Sequence, residues 1–216
     1  MQAPTHLAGL ILAAGESTRM GTDKAMLPWP PRAPGATDPP RQTLLTSAIL
    51  ALAPLTSLTI VVAGKNAESL SAVVGAFGAR LVRNPNPEFG QFSSLQIGLR
   101  SVLDRGCDSA IVTPVDCPPL RAVTLELLRK TFLREVPLGR WAVAPENKGK
   151  RGHPLLVSRD LIDLILQAPV TGNAREILHA HSSRVEYVPV TDSLAKAGLN
   201  TPGDYEAKGL ELPPSN

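Results

Sequence analysis

Aromatic residues are scarce in this chain: four Phe, two Tyr and two Trp among 216 residues. That leaves too few ring faces for a base-stacking platform of the single-strand-binding type. Cysteine is rarer still, with only Cys107 and Cys117. Two thiols exclude a disulfide framework. With no basic, apolar leader in Met1–His6, they point to a cytoplasmic protein with free thiols. No apolar run is long. Stretches such as Leu58–Ala63 fall far short of the roughly 20 residues that a membrane-spanning helix needs, so no membrane partner is expected. A strong charge of one sign is also lacking. The net charge of +3 suits a site for anionic nucleotides, but there is no clustered basic stripe, and nucleic acid is not an expected partner.

What is present is a moderately apolar chain, 43% hydrophobic with a mean hydropathy of +0.03. That length buries one substantial core, so a single domain over residues 1–216 is expected. Short, β-branched-rich apolar runs predict strands at Leu7–Leu12, Leu58–Val62, Ala79–Val82, Ala110–Val115, Trp141–Ala144, Pro154–Val157 and Val185–Pro189. Between them lie helical patterns at Leu44–Leu52, Ala67–Phe77, Ser93–Leu103, Val123–Arg134, Arg159–Leu166 and Ala174–His181. This alternation predicts an α/β fold: one doubly wound, mostly parallel sheet with helices on both faces. One segment breaks the rhythm. Residues 28–42 are crowded with proline, which removes donors and fixes φ, so a surface loop of polyproline character is expected there.

The most informative stretch runs from Leu10 to Lys24. An apolar strand ends in Leu12, Ala13 and Ala14, then opens into a turn carrying Gly15, Ser17, Arg19, Gly21 and Lys24. Small residues let backbone N–H groups approach an anion, and fixed cations neutralise it, so the turn suits a polyphosphate. It is not a Walker A loop, because Thr22 and Asp23 separate Gly21 from Lys24. It is not a dinucleotide fingerprint either, since Gly-x-Gly-x-x-Gly is absent. The competing reading is a Gly-rich turn with two solvated cations.

Further chemistry sits near the ends of other strands. Val112-Thr113-Pro114-Val115-Asp116-Cys117-Pro118 puts a carboxylate at a strand's carboxyl end, where open α/β sheets bind ligands. Asp116 there is either a turn former or one of the oxygen ligands that Mg²⁺ takes alongside phosphate and water. Cys117 has no activating motif and reads as a packed small residue. In Gly198-Leu199-Asn200-Thr201-Pro202, Asn200 or Thr201 is a cap for a short helix with Pro202 at its first position. Ser93 and Ser94 open a helix after Asn84–Gly90, and either is a candidate cap.

The Leu12–Lys24 motif closely resembles the signature of the MobA-like nucleotidyltransferases, Leu-Ala-(Ala/Gly)-Gly-x-Ser-x-Arg-Met-Gly-x-x-Lys. The resemblance covers nearly the whole chain in order and is strongest at its start. It implies the Rossmann-type fold of nucleotide-diphospho-sugar transferases and transfer of a nucleotidyl group onto a phosphorylated acceptor such as molybdopterin. It also implies the roles. Leu12, Ala13, Ala14, Gly15, Ser17, Arg19, Gly21, Lys24, Ser93, Ser94 and Asp116 hold the nucleotide. Lys24, Arg19 and Asp116 are catalytic. Mg²⁺ sits on Asp116 and Asn200. His153, in Arg151-Gly152-His153-Pro154, together with Asn173 and Arg175, faces the acceptor.

The chain also departs from the family pattern. Asn200 replaces an Asp common among relatives that handle the molybdenum cofactor, and Gly172-Asn173-Ala174-Arg175 has lost an acidic residue. Residues 28–42 look like an insertion. Ala13-Ala14-Gly15 resembles the cytidylyltransferase branch, so CTP is favoured over GTP. Two alternatives stay open: a sugar- or polyol-phosphate nucleotidyltransferase, and a nucleotide-binding accessory protein without turnover.

Overall fold

The computed structural model describes residues 6–15, 17, 20–30 and 42–207. Arg19, most of the Pro-rich segment (31–41) and the chain's last residues lie outside them. Among the described residues, eight strands form one sheet in the order β3-β2-β1-β4-β7-β5-β6, with β8 paired to β5. The strands are β1 Leu7–Ala13, β2 Leu58–Ala63, β3 Arg80–Arg83, β4 Ser109–Pro114, β5 Ala142–Asn147, β6 Lys150–Arg151, β7 Leu155–Val157 and β8 Val185–Pro189. Pairs β1–β2, β1–β4, β2–β3 and β5–β8 are parallel. The sheet is nevertheless mixed, because β7 runs antiparallel to both β4 and β5 and β6 antiparallel to β5.

The order of burial along β1 explains how one strand serves two cores. Ile11 and Ala13 enter one apolar cluster, while Ala8, Leu10 and Leu12 enter the other, as the two-residue period of a strand requires. On the first face, α1 (Leu44–Leu52), α2 (Ala67–Ala76) and α4 (Ala122–Glu135) supply Leu45, Ile49, Leu70, Leu128 and Phe132. On the second, α3 (Gln91–Asp104) and α5 (Arg159–Gln167) supply Leu95, Leu99, Leu161 and Ile165. α6 (Ala174–Ala180) adds partly buried Ile177 to that side. Both faces of β1 and β4 are thus dry, and their runs are apolar apart from buried Ser109 and Thr113 in β4.

β1 lies between β2 and β4, so successive crossovers leave it in opposite directions. The resulting switch point opens a crevice at the carboxyl ends of β1 and β4. Gly64 closes the wall beside it. A Cβ there would lie 2.7 Å from the backbone oxygen of Ala14, so only glycine lets the two strand ends approach.

Three local expectations differ from the structure. The run beginning at Pro154 becomes strand only at Leu155, after a cis bond from His153. The helix expected from Ser93 starts at Gln91, which puts Ser93 and Ser94 inside the first turn. In the Pro-rich stretch, Trp29 is buried rather than on the surface. Its apolar ring joins the first core, while its backbone N–H donates to Gln42 O and its carbonyl accepts from Ser47. Pro28 and Thr43 pair as an antiparallel bridge, so the described ends of the segment are tied together.

The last described helix, α7 (Pro202–Glu206), is fastened across the chain. Thr201 caps it in a reciprocal capping box with Asp204, and Asn200 is not the cap. Fully buried Tyr205 donates its phenol proton to Pro28 O at 2.6 Å.

Candidate active site

A cleft of about 370 Å³ lies at the switch point. Its floor is the end of β1 and the turn after it, Leu12, Ala13, Ala14, Gly15 and Ser17. Pro114, Val115 and Asp116 follow from β4, and Pro87, Gly90, Gln91 and Ser94 close the opposite wall. Asp23, Lys24 and Asn200 complete the lining. Of the residues expected to hold a nucleotide, Gly21 and Ser93 stand outside the lining. His153, Asn173 and Arg175 are outside it too.

Lys24 is the centre of the polar geometry. Its ammonium donates to Asp116 Oδ2 at 3.0 Å and to Asn200 Oδ1 at 2.9 Å. The three side chains come from the turn after β1, the end of β4 and the approach to α7. The Lys24 backbone N–H donates to Ser17 Oγ at 3.2 Å, and Ser17 itself has φ +52, a left-handed turn that aims the hydroxyl back under the loop. Asp204 steadies Asn200 by accepting from its backbone N–H at 3.0 Å. Hydrogen bonds from the Thr201 hydroxyl and then from the Asn200 and Thr201 N–H groups hold the Asp204 carboxyl below its usual range.

A second set of contacts, invisible in the sequence, pins the Lys24 loop. Asp23 caps the single 3₁₀ turn Lys24–Met26 by accepting from Ala25 N–H. Its other oxygen accepts from Asn66 Nδ2 at 2.9 Å, and the same amide donates to Ala13 O at 3.1 Å. Asn66 precedes α2 at the position of an N-cap, yet makes no side-chain cap there. Its amide joins the two ends of the cradle instead.

The wall from Asn84 to Ser94 is organised by one buried amide. Asn84 Nδ2 donates to Ser93 Oγ and to Ser94 Oγ, each at 2.9 Å. Neither serine caps α3, since Gly90 holds the cap position and makes no side-chain bond. Ser93 donates to Gly90 O at 2.8 Å, which turns it away from the cleft.

Cys117 and His153 flank Asp116 without entering the lining. Burial, followed by the Asp116 charge and its hydrogen bond, pushes the Cys117 thiol far above its ordinary range, so it is no nucleophile at neutral pH. Burial lowers the His153 pKa, against the opposing pull of Asp116 and a hydrogen bond to the Val112 backbone. The imidazole is therefore neutral, and its Nδ1 is buried with no partner among the described residues. Asn173 caps α6 by accepting from the N–H of Arg175, whose side chain is exposed.

Among the described residues there is no cluster of three or more His, Cys, Asp and Glu able to enclose a metal ion. Asp116 and Asn200 nevertheless fit a hard divalent cation of the kind that takes only one or two protein oxygens. Their oxygens converge on one point, and that point carries the positive charge of Lys24. No helix among the described residues is long and apolar enough to cross a membrane.

The model of the MobA-like NTP transferase domain matches residues 9–185. A molybdenum cofactor cytidylyltransferase of Escherichia coli is 29% identical over 200 residues, 91% of this chain and 92% of that protein. A probable molybdenum cofactor guanylyltransferase of Mycobacterium bovis is 30% identical over 210 residues, covering 96% and 92%. In three dimensions, the crystal structure of Rv0371c from Mycobacterium tuberculosis superimposes with a TM-score of 0.70 at 24% identity, covering 96% of this chain and 98% of that one. The same protein has been crystallised as a manganese complex, which is 21% identical with a TM-score of 0.63 and covers 94% and 98%.

Proposed function

The chain belongs to the MobA-like NTP transferase family, and on that premise we propose that it transfers CMP from CTP to a phosphorylated molybdopterin-type acceptor. The observation that carries the proposal is the convergence of Lys24, Asp116 and Asn200 at the mouth of a small-residue cradle. An accessory protein that only bound nucleotide would need the cradle but not this charged triad. The molybdenum cofactor relatives, similar over nine-tenths of the chain, support the acceptor class. The Ala13-Ala14-Gly15 sequence, which resembles the cytidylyltransferase branch, supports CTP over GTP.

The reaction asks for little covalent help. An oxygen of the acceptor phosphate forms a bond to the α-phosphorus, the bond from that phosphorus to the bridging oxygen breaks, and pyrophosphate leaves with the electron pair. The attacking phosphate is already ionised, so no general base is required. The obstacle is electrostatic, because two anions meet while charge grows on the leaving group. The backbone of Ala13, Ala14 and Gly15 lets the triphosphate approach closely. Lys24 moves from its two oxygens to the phosphates, with Arg19 as a second cation. Asp116 and Asn200 would hold a divalent cation, which would supply neutralisation of phosphate charge. Asn173, committed to capping α6, carries no acceptor contact in this reading.

The test is pyrophosphate release from CTP and from GTP, each with and without molybdopterin, in Mg²⁺ and in Mn²⁺. The expected result is release that needs CTP, acceptor and metal together. A folded protein that releases none with any pairing sinks the reading.

A further inference from the structure

Beyond Val190 the chain leaves the sheet, and residues 191–200 approach the cleft with the short 3₁₀ turn Ser193–Lys196 as their regular structure. Polar fastenings hold this stretch at its start, middle and end. At the start, buried Asp192 reaches across to the first residues of α4. Its Oδ2 accepts from Arg121 N–H at 2.9 Å, from Thr124 Oγ1 at 3.3 Å and from Arg121 Nε at 3.4 Å. Its Oδ1 accepts from Leu194 N–H at 3.2 Å and so caps the turn. In the middle, Ala195 O accepts from His153 N–H at 3.1 Å, and at the end Leu199 N–H donates to Asp116 O at 2.9 Å. Burial by itself would raise the Asp192 pKa, yet hydrogen bonds from Arg121, Leu194 and Thr124 hold it below the usual carboxylate range. The clamp is therefore charged at neutral pH.

Two loops are thus joined at both ends. Asp192 grips Arg121 at one end, and Leu199 grips Asp116 at the other. Pro118 and Pro119 lie between Asp116 and Arg121, and their fixed φ makes that loop a stiff strut. On the other loop, Asn200 follows Leu199 directly. A single attachment between two loops is a pivot, whereas a second one removes the rotation. We propose that Asp192 is a positioning residue, which sets the separation of Asp116 and Asn200 and so the affinity for a divalent cation held between them. The inference rests on the assignment of those two oxygens to the cation under the proposed function. Mg²⁺ tolerates little departure from octahedral geometry, so ligands carried on two loops need the loops fixed to each other. Asp192 does this without touching either ligand oxygen.

Mn²⁺ binding to the nucleotide-free protein, followed by electron paramagnetic resonance, tests this alongside melting curves. The proteins compared are wild type, Asp192→Ala, Arg121→Pro, the double variant, Leu161→Ala and Asp116→Asn. Arg121 already has φ −59, the angle that a proline ring imposes, so Arg121→Pro removes both Arg121 donors to Asp192 with the backbone path kept. Leu161→Ala opens the core on the opposite face and reads what lost stability alone does to the site. The expected result is a Kd for Mn²⁺ raised about tenfold in each clamp variant, the lower end of what removing the supports of metal ligands costs. The double variant should bind no more weakly than either single one, because both remove the same contact. Leu161→Ala should melt lower yet bind Mn²⁺ as wild type does. An unmoved Kd, additive losses, or an equal loss in Leu161→Ala overturns the inference and leaves the metal assignment standing. Asp116→Asn with a wild-type Kd, or wild type that binds no Mn²⁺, overturns both. Should Asp192→Ala not fold, the comparison of Arg121→Pro with Leu161→Ala decides by the same criteria.

Discussion

Lys24 and Asp116 form an ion pair of 3.0 Å across 92 residues of chain, with side chains only 12% and 23% exposed. The pair sits over the end of β1 with Asn200 on the same ammonium. If Asp116 and Asn200 hold a metal as proposed, the Lys24 ammonium competes with it for the same two oxygens. Nucleotide, by drawing Lys24 away, should strengthen metal binding, and the coupling should run equally in the other direction.

Lys24→Met separates the two jobs of that ammonium. Turnover should fall by roughly two orders of magnitude or more, as removal of a transition-state charge partner does. Mn²⁺ binding without nucleotide, followed by electron paramagnetic resonance, should tighten. Stability should fall by about 1–3 kcal/mol, because Asp116, only partly open to the cleft, loses its partner. Unchanged turnover would remove Lys24 from the machinery.

Asp116→Asn should abolish metal-dependent pyrophosphate release while the melting curve stays close to that of wild type. Chelation of the wild-type protein should have the same effect and be reversed by adding Mg²⁺. Activity that survives both treatments would show that Asp116 holds no metal.

Asn200→Asp adds a charge at the same point without disturbing α7, whose cap is Thr201. The Mg²⁺ concentration for half-maximal activity should drop several-fold at fixed nucleotide, as ligand charge count dictates. A titration curve identical to wild type would leave Asp116 as the only protein ligand in this account.

Asn66→Ala cuts the tie between Asp23 and Ala13 O. Losing these two part-buried hydrogen bonds costs about 1–3 kcal/mol. The specific mark of a role in the cradle would be a raised KM for nucleotide beyond any change in melting temperature. A variant that is less stable yet has an unaltered KM would make Asn66 a scaffold residue only.

His153 gives the stability a pH dependence with a definite sign. Its pKa is lowered in the folded chain, chiefly by burial. Above about pH 6.5 the imidazole is neutral in both states and imposes no penalty. As pH falls below that value the unfolded chain takes up the proton first, so stability declines until the folded pKa is reached and then levels off. His153→Gln should flatten that part of the curve in denaturant titrations across the range. A slope unchanged by the substitution would place its origin elsewhere.

Much of this was legible in the sequence because backbone geometry forces residue types. The run from Leu12 to Lys24 must be small and then cationic to take phosphate, and the structure gathers most of it into the cleft. Helices such as Leu44–Leu52 announce themselves by their period and lie where the pattern put them. The direction of β7 was not readable, since a three-residue apolar run carries no sign of whether its neighbour is parallel or antiparallel. Asp23 looked like a mere spacer because its partner, Asn66, lies 43 residues on. Asn84 and Ser94 are only ten residues apart, but nothing in the letters tells which of them donates.

The bonds from Lys24 to Asn200 and from Tyr205 to Pro28 join positions 176 and 177 residues apart. A ribosome making this chain therefore exposes the phosphate cradle long before its last polar partner exists. Closing so wide a loop carries an entropy cost that only the finished sheet can offset. During synthesis Lys24 and Asp116 can meet once β4 has emerged, yet the triad waits for the chain to reach Asn200. On the proposed function, catalytic competence would thus be a late event of biogenesis, set by the arrival of Asn200 rather than by the core that supports it.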